Sequence, residues 1–410
     1  MKPAELEASE EYALFCEGLL TDPYPLFDTL RAEDPVHWSD RLSGWVLTRH
    51  DDITAGHRDT RFASERASLN MEPLPPEMRQ KFAPLGEHVA NWLGFTDPPK
   101  HTRLRKMVAR SMSAKFIAGL RPRIGEIVDG LLAKVEGKNE MDLMGEFAYP
   151  LPATVGCELL GIPPGDQDTC KDHIDALVNF VGGVGPQLIQ AAEPAYQSYQ
   201  MLAEYFRELA DERRRKPTDD MFTALVNGLD SGEILDETEL LGLSVFLYVA
   251  GHETTVGLII NGLLSLLLHP GQLELLMNDW SLVDSAVEEC LRYEAPIQLS
   301  TRLTVEDGEL RGREIKKGDA VVWLLGAANR DPEVFENPHV FDIRRKENRH
   351  VAFGVGSHFC LGAPLARLEA QLAFPALFKR YPNLRLKTEE LTWRKNMTLR
   401  AVVELPVILE

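Results

Sequence analysis

The feature that most constrains this fold is an apolar tract at residues 240–268, whose centre is interrupted by the polar run His252-Glu253-Thr254-Thr255. Asp236, with Glu239 three residues later, predicts a capped helix start, and a His-Pro-Gly sequence follows the tract. A helix of about thirty residues is roughly 45 Å long, so it must cross the interior. A central charge costs about 3 kcal/mol in a bilayer, which argues against a membrane span. Polar residues midway along a core helix therefore indicate a functional site.

Most of the remaining chain has helical periodicity, as at residues 124–135, 196–215 and 361–380. Strand patterns are few. They predict a hairpin at 36–49, a short strand at 320–325 and an extended segment at 391–409. The sequence shows no internal repeat or linker. We therefore expect a mostly α fold with small β-sheets, forming one domain over residues 1–410.

Charge and cysteine content exclude several classes of protein. The net charge is −19, whereas nucleic-acid binding requires a broad basic face. The start of the chain lacks the basic-then-apolar plan of a signal peptide, so we expect a cytoplasmic protein without a membrane segment. The cysteines are scattered and form no CxxC pair, which disfavours a disulfide framework and a cysteine-only zinc site. They are Cys16, Cys157, Cys170, Cys290 and Cys360.

A glycine-rich loop surrounds Cys360 in the stretch VAFGVGSHFCLGAPLARLE, residues 351–369. A helix is predicted to start just after the cysteine, where free N–H groups favour a thiolate, and a thiolate is a good iron ligand. Three other interpretations stay open at this point. Cys360 could be a small buried hydrophobe, the loop could bind a dinucleotide, or zinc could bind at His358 and Cys360. The dinucleotide motif is incomplete, and zinc lacks two further ligands.

The loop Phe353-Gly354-x-Gly356-x-His358-x-Cys360-x-Gly362 resembles the haem-binding signature of the cytochrome P-450 family, the haem-thiolate monooxygenases. Other segments resemble further motifs of that family in the same order and spacing. AGHETT at 250–255 resembles the oxygen-activation stretch, and Glu289-Cys290-Leu291-Arg292 resembles the ExxR pair. NRDP at 329–332 and FDIRR at 341–345 resemble the segments before the haem loop. The resemblance covers nearly the whole chain and is of the soluble bacterial type.

The resemblance implies a helical lobe and a β-rich lobe, with the long central helix over a haem b (iron protoporphyrin IX). Cys360 would be the axial thiolate ligand, and O2 the co-substrate. Thr254 would supply the hydroxyl that contacts oxygen and Glu253 the acid of a proton relay. A simple bond from Thr254 to the carbonyl four residues earlier is the alternative. The implied cofactor contacts are His101, Arg105, Ala250, Gly251, Arg302, Phe353, Gly354, His358 and Gly362. Glu289, Arg292 and Arg345 would form a buried structural support.

The resemblance also implies a pocket for a largely apolar small molecule, such as a secondary metabolite, terpenoid, macrolide or fatty acid. Its residues would be Phe246, Leu247, Ala250, Ile297, Gln298, Leu299 and Met397, and Gln298 would provide one polar contact. Basic residues gather at 100–110 and 344–349. They predict a docking face for an acidic, ferredoxin-type electron donor and its reductase, although a solvated helix face is the alternative. We expect a monomer. A peroxide-driven oxygenase and a non-catalytic haem-thiolate sensor are the alternative functions.

Overall fold

The apolar tract forms one continuous helix, Glu237–Leu268, in a computed structural model that describes residues 17–40, 42–183, 186–234 and 236–410. Asp236 caps this helix and accepts a hydrogen bond from the N–H of Glu239 at 2.9 Å, as predicted. The helix is long and apolar enough to cross a membrane, but 72% of its most apolar window is buried inside the protein. It is therefore the central core helix. Cys16 and the side chain of Cys170 lie outside the described parts of the structure.

Helices dominate the described chain. In order they are α1 (Glu17–Thr21), α2 (Tyr24–Glu33), α3 (His50–Gly56), α4 (Ser68–Met71), α5 (Pro76–Lys81), α6 (Ala83–Ala90), α7 (Lys100–Ser111), α8 (Ala114–Gly119), α9 (Arg121–Lys134), α10 (Pro150–Leu160), α11 (Gln167–Val181), α12 (Pro186–Arg215), α13 (Met221–Asp230), α14 (Glu237–Leu268), α15 (Pro270–Asn278), α16 (Val283–Tyr293), α17 (Leu325–Ala328) and α18 (Ala363–Arg380). The helices predicted at 124–135, 196–215 and 361–380 correspond to α9, α12 and α18.

The strands are short: β1 (Val36–Ser39), β2 (Gly44–Leu47), β3 (Phe62–Ala63), β4 (Glu140–Asp142), β5 (Leu299–Thr304), β6 (Gly308–Leu310), β7 (Arg313–Ile315), β8 (Ala320–Leu324), β9 (Arg385–Leu386) and β10 (Pro406–Ile408). The largest sheet has the order β1-β2-β8-β5-β3, and only its β2–β8 pair is parallel. The predicted hairpin and the strand at 320–325 both belong to it. The segment 391–409 contributes β10 and two isolated bridges. The fold is mostly α with small sheets, as predicted.

Helix α14 takes part in two separate apolar cores. Its first part, 240–249, packs with residues of α7, α12 and α13, and its second part, 256–266, packs with residues of α9, α16 and α18. Gly262 allows α18 to approach closely, because a Cβ there would lie 2.6 Å from the ring of Phe374. The polar run at 250–255 lies between the two cores. The break in the apolar pattern is therefore where the packing of the molecule also changes.

A buried ion cluster connects α16 to the segment that leads into the cysteine loop. Arg292 donates to both carboxylate oxygens of Glu289 at 2.8 Å, and the Nε of Arg345 lies 3.1 Å from the same carboxylate. Arg292 also donates to the backbone carbonyls of Asn329, Pro338 and Val340. The structure thus brings together the three residues that the resemblance places in a support cluster. One carboxylate pairs with two guanidinium groups, and backbone carbonyls accept further N–H groups of both.

We predict that Glu289→Gln lowers the free energy of unfolding by about 3–5 kcal/mol, because two buried or half-buried cations lose their counter-charge. Urea denaturation measures this loss. Glu274→Gln is the matched control, since Glu274 is exposed on α15, and its effect should stay within about 0.5 kcal/mol. Equal effects of the two substitutions would contradict the structural role of the cluster.

Candidate active site

A cavity of about 830 Å³ is lined by both α14 and the cysteine loop. Cys360 and Thr254 both line it, although they are far apart in the sequence. Fourteen further lining residues are among those that the resemblance predicted. These are Phe246, Leu247, Ala250, Gly251, Ile297, Leu299, Met397, His101, Arg105, Arg302, Phe353, Gly354, His358 and Gly362.

The α14 wall combines open space with a hydroxyl group. A Cβ at Gly251 would meet no atom outside its own helix within 4 Å, so this position leaves room in the cavity. The Thr254 hydroxyl donates to the carbonyl of Ala250 at 2.8 Å, which is the bond that the helix-only alternative requires. The hydroxyl oxygen keeps lone pairs that can accept a second hydrogen bond. The position of Thr254 is therefore compatible with a hydroxyl that contacts oxygen and with one that only bonds to the helix carbonyl.

Glu253 does not line the cavity. Its carboxylate is buried, accepts a hydrogen bond from the guanidinium of Arg394, and lies 3.6 Å from Nδ1 of His252. Neighbouring residues of a helix point about 100° apart, so Glu253 and Thr254 face different surroundings. The side chain of Arg394 is 25% exposed and so connects the buried acid to solvent. No motif in the sequence pointed to Arg394.

Cys360 lies at the end of a tight loop, and its N–H donates to the carbonyl of Phe353 at 3.0 Å. Burial raises the pKa of the Cys360 thiol, although the N–H groups of Gly362 and Ala363 act in the opposite direction. The N–H groups near the helix start therefore favour the thiolate, in the direction predicted, but they do not set the pKa alone. Helix α18 begins only at Ala363, and desolvation outweighs its N–H groups. A coordinated metal ion would reverse the balance, because it deprotonates a thiol directly.

Positively charged and titratable groups meet at one part of the cavity. The rings of His101 and His358 stack at a centroid distance of 3.8 Å, and Arg105 donates to the carbonyl of Phe359 at 2.6 Å. Burial lowers the pKa of His358 to about 3, and the neighbouring positive charges add to the effect. Burial also lowers the pKa of Arg302 to about 10. These groups are close to one another and short of negative partners.

Two further members of this cluster, His57 and Arg66, also line the cavity. The sequence did not single out His57, and it included Arg66 only within the loop at residues 62–95, which the resemblance places at the pocket. The His57 ring lies 4.0 Å from the Trp323 ring, and burial lowers its pKa to about 4. Both residues belong to segments without a recognisable motif, on either side of β3. The only signal in the sequence is that both residues have basic side chains, and many exposed residues of the chain share that property.

These residues fit the haem that the resemblance implies. A haem needs a ligand for iron, cations for its two carboxylates and an apolar surface for its ring. The cavity offers the thiol of Cys360, the cluster around Arg302, and mostly apolar walls. Nε2 of His101 is buried and has no hydrogen-bond partner among the described residues, as expected of a group that binds a further ligand. A zinc site has no such support, since the described part of the chain contains no group of three or more candidate ligands.

Gln298 does not line this cavity, so its predicted polar contact with a substrate is wrong. Its side chain is 3% exposed, and Nε2 donates to the carbonyl of Ala295 at 2.8 Å. Side chains alternate along an extended segment. Ile297 and Leu299 face the cavity, and Gln298 therefore faces the opposite side, near Gly326.

The predicted basic face is smaller than the sequence suggests. Arg103 donates to both carboxylate oxygens of Glu239, and Arg110 lies 2.7 Å from Glu233. Arg345 belongs to the buried ion cluster. The remaining basic side chains of these segments that stay exposed include Lys106, Arg344, Lys346 and Arg349. Acidic residues from other elements thus neutralise part of the predicted basic face.

Comparisons with known proteins agree with this site. A profile of the cytochrome P-450 family matches residues 274–403. Cytochrome P-450 107B1 of Saccharopolyspora erythraea is 42% identical, over 96% of each chain. The cytochrome P-450 monooxygenase PikC of Streptomyces venezuelae is 43% identical, over 95% of this chain and 92% of PikC. Among solved structures, P-450 BioI in complex with an acyl carrier protein ligated to hexadec-9Z-enoic acid has a TM-score of 0.89. Its sequence identity is 38%, and the match covers 96% of this chain and 99% of BioI.

Relatives at this level of identity share the fold and the type of chemistry over almost the full chain. The cofactor of these enzymes is a haem with a cysteine thiolate ligand, and O2 is their co-substrate. The chain therefore belongs to the cytochrome P-450 family and is a haem-thiolate monooxygenase of the bacterial type.

Proposed function

We propose that this enzyme inserts one oxygen atom from O2 into a largely apolar small organic molecule, with Cys360 as iron ligand and Thr254 as the hydroxyl that guides protons. One observation carries the proposal: Cys360 and Thr254 line the same cavity, whose other walls are mostly apolar. When bound, the haem supplies the iron at which O2 is activated. Side chains of this protein hold the iron ligand in place, guide protons and bind the substrate.

Cys360 is positioned by its own loop and by the cluster behind it. The N–H groups of Gly362 and Ala363 point to its sulfur and stabilise negative charge there. Glu289 accepts the N–H of Asp342 at 2.8 Å, so the ion cluster also fixes the segment that precedes the loop. Glu289, Arg292 and Arg345 therefore act as structural support.

Protons reach the cavity through α14 in this proposal. Arg394 is partly exposed and holds the Glu253 carboxylate, which follows His252 and precedes Thr254 in the helix. A rotation of the Glu253 side chain away from Arg394 would bring a proton from the solvent side towards Thr254. The Thr254 hydroxyl then donates a proton into the cavity while it accepts one from the relay. Glu253 thus acts from behind the cavity wall.

The substrate occupies the part of the cavity lined by Phe246, Leu247, Ile297, Leu299 and Met397. A volume of about 830 Å³ lies towards the upper end of the range of roughly 300–1,000 Å³ for small-molecule sites. Similarity to the BioI complex, which holds a long acyl chain, supports a substrate with an extended apolar body. Similarity to PikC supports the monooxygenase reaction. We propose secondary metabolites, macrolides, terpenoids or fatty acids as the substrate class.

The electrons come from a separate ferredoxin and its reductase in the cytoplasm, and the enzyme acts as a monomer in this proposal. The exposed basic residues Lys106, Arg344, Lys346 and Arg349 support docking of an acidic protein. Phe359, next to Cys360, is 40% exposed and provides an apolar contact close to the proposed iron ligand. Charge would guide the donor to this surface, and the apolar residue would stabilise the contact.

We predict that Cys360→Ser abolishes the thiolate-type Soret shift of the reduced protein under carbon monoxide, because an alcohol is a harder and far less acidic ligand. Absorption spectroscopy measures the shift. Cys157→Ser is the matched control, since Cys157 is a buried cysteine that does not line the cavity and whose thiol donates only to Tyr248. An unchanged spectrum of Cys360→Ser would remove the assignment of the iron ligand.

We predict that Thr254→Ala folds, binds haem and consumes reductant, but forms less product and more hydrogen peroxide per electron. The reason is the loss of the hydroxyl that guides protons, and Thr254→Ser should keep more of the coupling. Product, peroxide and reductant are measured in the same reaction. Thr154→Ala removes the same type of bond to a carbonyl four residues earlier, but outside the cavity, and should leave coupling unchanged. Full coupling in Thr254→Ala would assign Thr254 to helix structure alone.

We predict that Lys106→Glu slows reduction by an acidic ferredoxin at low salt, and that the difference from the wild type shrinks as salt rises. Exposed charges are screened over about 8 Å at physiological ionic strength. Stopped-flow reduction at several salt concentrations tests this. Lys317→Glu changes the net charge equally, between β7 and β8, and should have a much smaller effect. Salt-independent reduction of the wild type would show that the basic residues only contact solvent.

A further inference from the structure

Arg66 is a cation of the cavity that the proposed function leaves without a role. Its Nη1 donates to the carbonyls of Ser64 at 2.9 Å and Gly94 at 2.8 Å, and its guanidinium carbon lies 3.8 Å from the centroid of the Phe95 ring. These contacts use one nitrogen and one face of the group. Nε and Nη2 have no hydrogen-bond partner among the described residues, and Arg66 lines the cavity.

The charges around Arg66 are unbalanced. In the described part of the chain, neither Arg66 nor Arg302 has a carboxylate within ion-pair distance. Asp97 attracts both guanidinium groups, but its Oδ2 already accepts the N–H of Glu65 at 2.9 Å. Burial lowers the pKa of Arg66 well below its usual range, and the charge of Arg302 lowers it further. A buried cation without a partner costs several kcal/mol, so this arrangement calls for an anion.

The position of Arg66 indicates which part of the cavity this anion occupies. Ser64, two residues earlier, has its Oγ 3.0 Å from Nε2 of His358. Arg66, His358 and Arg302 all line the same cavity. Arg66 therefore belongs to the same electrostatic cluster as His358 and Arg302. This cluster is the part of the cavity in which the proposed function places the haem carboxylates.

We propose that Arg66 binds a carboxylate of the haem and so acts as a fifth positioning residue beside His101, Arg105, Arg302 and His358. The inference rests on the proposed function, because it requires the haem carboxylates to lie at this cluster. Nε and Nη2 provide a fork that matches a carboxylate, whereas Nη1 stays bonded to the loop carbonyls.

A consequence concerns the substrate side of the cavity. Gly94 accepts from Arg66 and packs against Phe246, since a Cβ at Gly94 would lie 3.3 Å from that ring. The guanidinium therefore joins the cofactor to a loop that lines the substrate pocket. Retention of the haem and the shape of the pocket are linked through one side chain.

The test compares the haem-loaded wild type with Arg66→Met, which keeps an apolar side chain on Phe95 but removes the charge. Resonance Raman spectra report hydrogen bonding to the haem carboxylates through their bending bands, and we expect these bands to shift. Transfer of haem to apomyoglobin should become about ten-fold faster, as for the loss of one charge-assisted hydrogen bond. Arg79→Met is the matched control. Arg79 is exposed on α5, does not line the cavity, and should leave both readouts unchanged.

Arg66→Lys keeps the charge without the fork and should give an intermediate transfer rate; it decides the question alone if Arg66→Met does not fold. The thiolate-type Soret shift under carbon monoxide should persist in every Arg66 variant, which separates this inference from the assignment of Cys360. Unshifted bands and unchanged haem transfer would overturn the proposal. Weaker binding of tetradecanoic acid, but not of its methyl ester, with unshifted haem bands would also overturn it, because Arg66 would then bind a substrate carboxylate.

Discussion

The structure depends on one constraint: helix α14 has to serve two apolar cores and leave a cavity between them. The residues before Ala250 are anchored in one core, and those after Thr255 in the other. The intervening residues are therefore held by packing on both sides, and Gly251 and Thr254 among them line the cavity. This explains how Gly251 and polar Thr254 can occupy the middle of a long buried helix without a loss of helical structure. The rigid framework fixes the hydroxyl relative to the cysteine loop.

Charged side chains shape the part of the site around the cysteine loop. Glu289 pairs with two guanidinium groups behind the cysteine loop, and backbone carbonyls accept their other N–H groups, so that the polypeptide alone provides the partners of this cluster. The cations around Arg302 differ, because the described residues do not provide enough negative charge for them. The protein thus contains one ion cluster that is complete in itself and another that an anionic ligand would complete. The first supports the loop that holds Cys360, and the second suits a dianionic cofactor, which links folding of this region to cofactor binding.

The pKa of Cys360 illustrates why local sequence rules are insufficient in such a site. A cysteine near a helix start is expected to ionise easily, and two backbone N–H groups do favour the thiolate. Burial nevertheless raises the pKa, because the surrounding cavity is largely apolar. The same desolvation lowers the pKa values of His57 and His358. In this cavity burial therefore outweighs local hydrogen bonding.

The sequence by itself determined the elements whose information is local. It defined the start of α14 at Asp236, the hairpin at 36–49, the mostly α composition, and the motifs around Glu289 and Cys360. These follow from periodicity, capping and fixed spacing within short segments. Only the tertiary structure decided that Gln298 turns away from the cavity, that Arg394 holds Glu253, that acidic residues neutralise Arg103 and Arg110, and that Arg66 joins the cationic cluster. Each of these depends on the face that a side chain presents and on partners far away in the chain. The energy of a buried charge is set by all the groups packed around it, and no single segment contains that information.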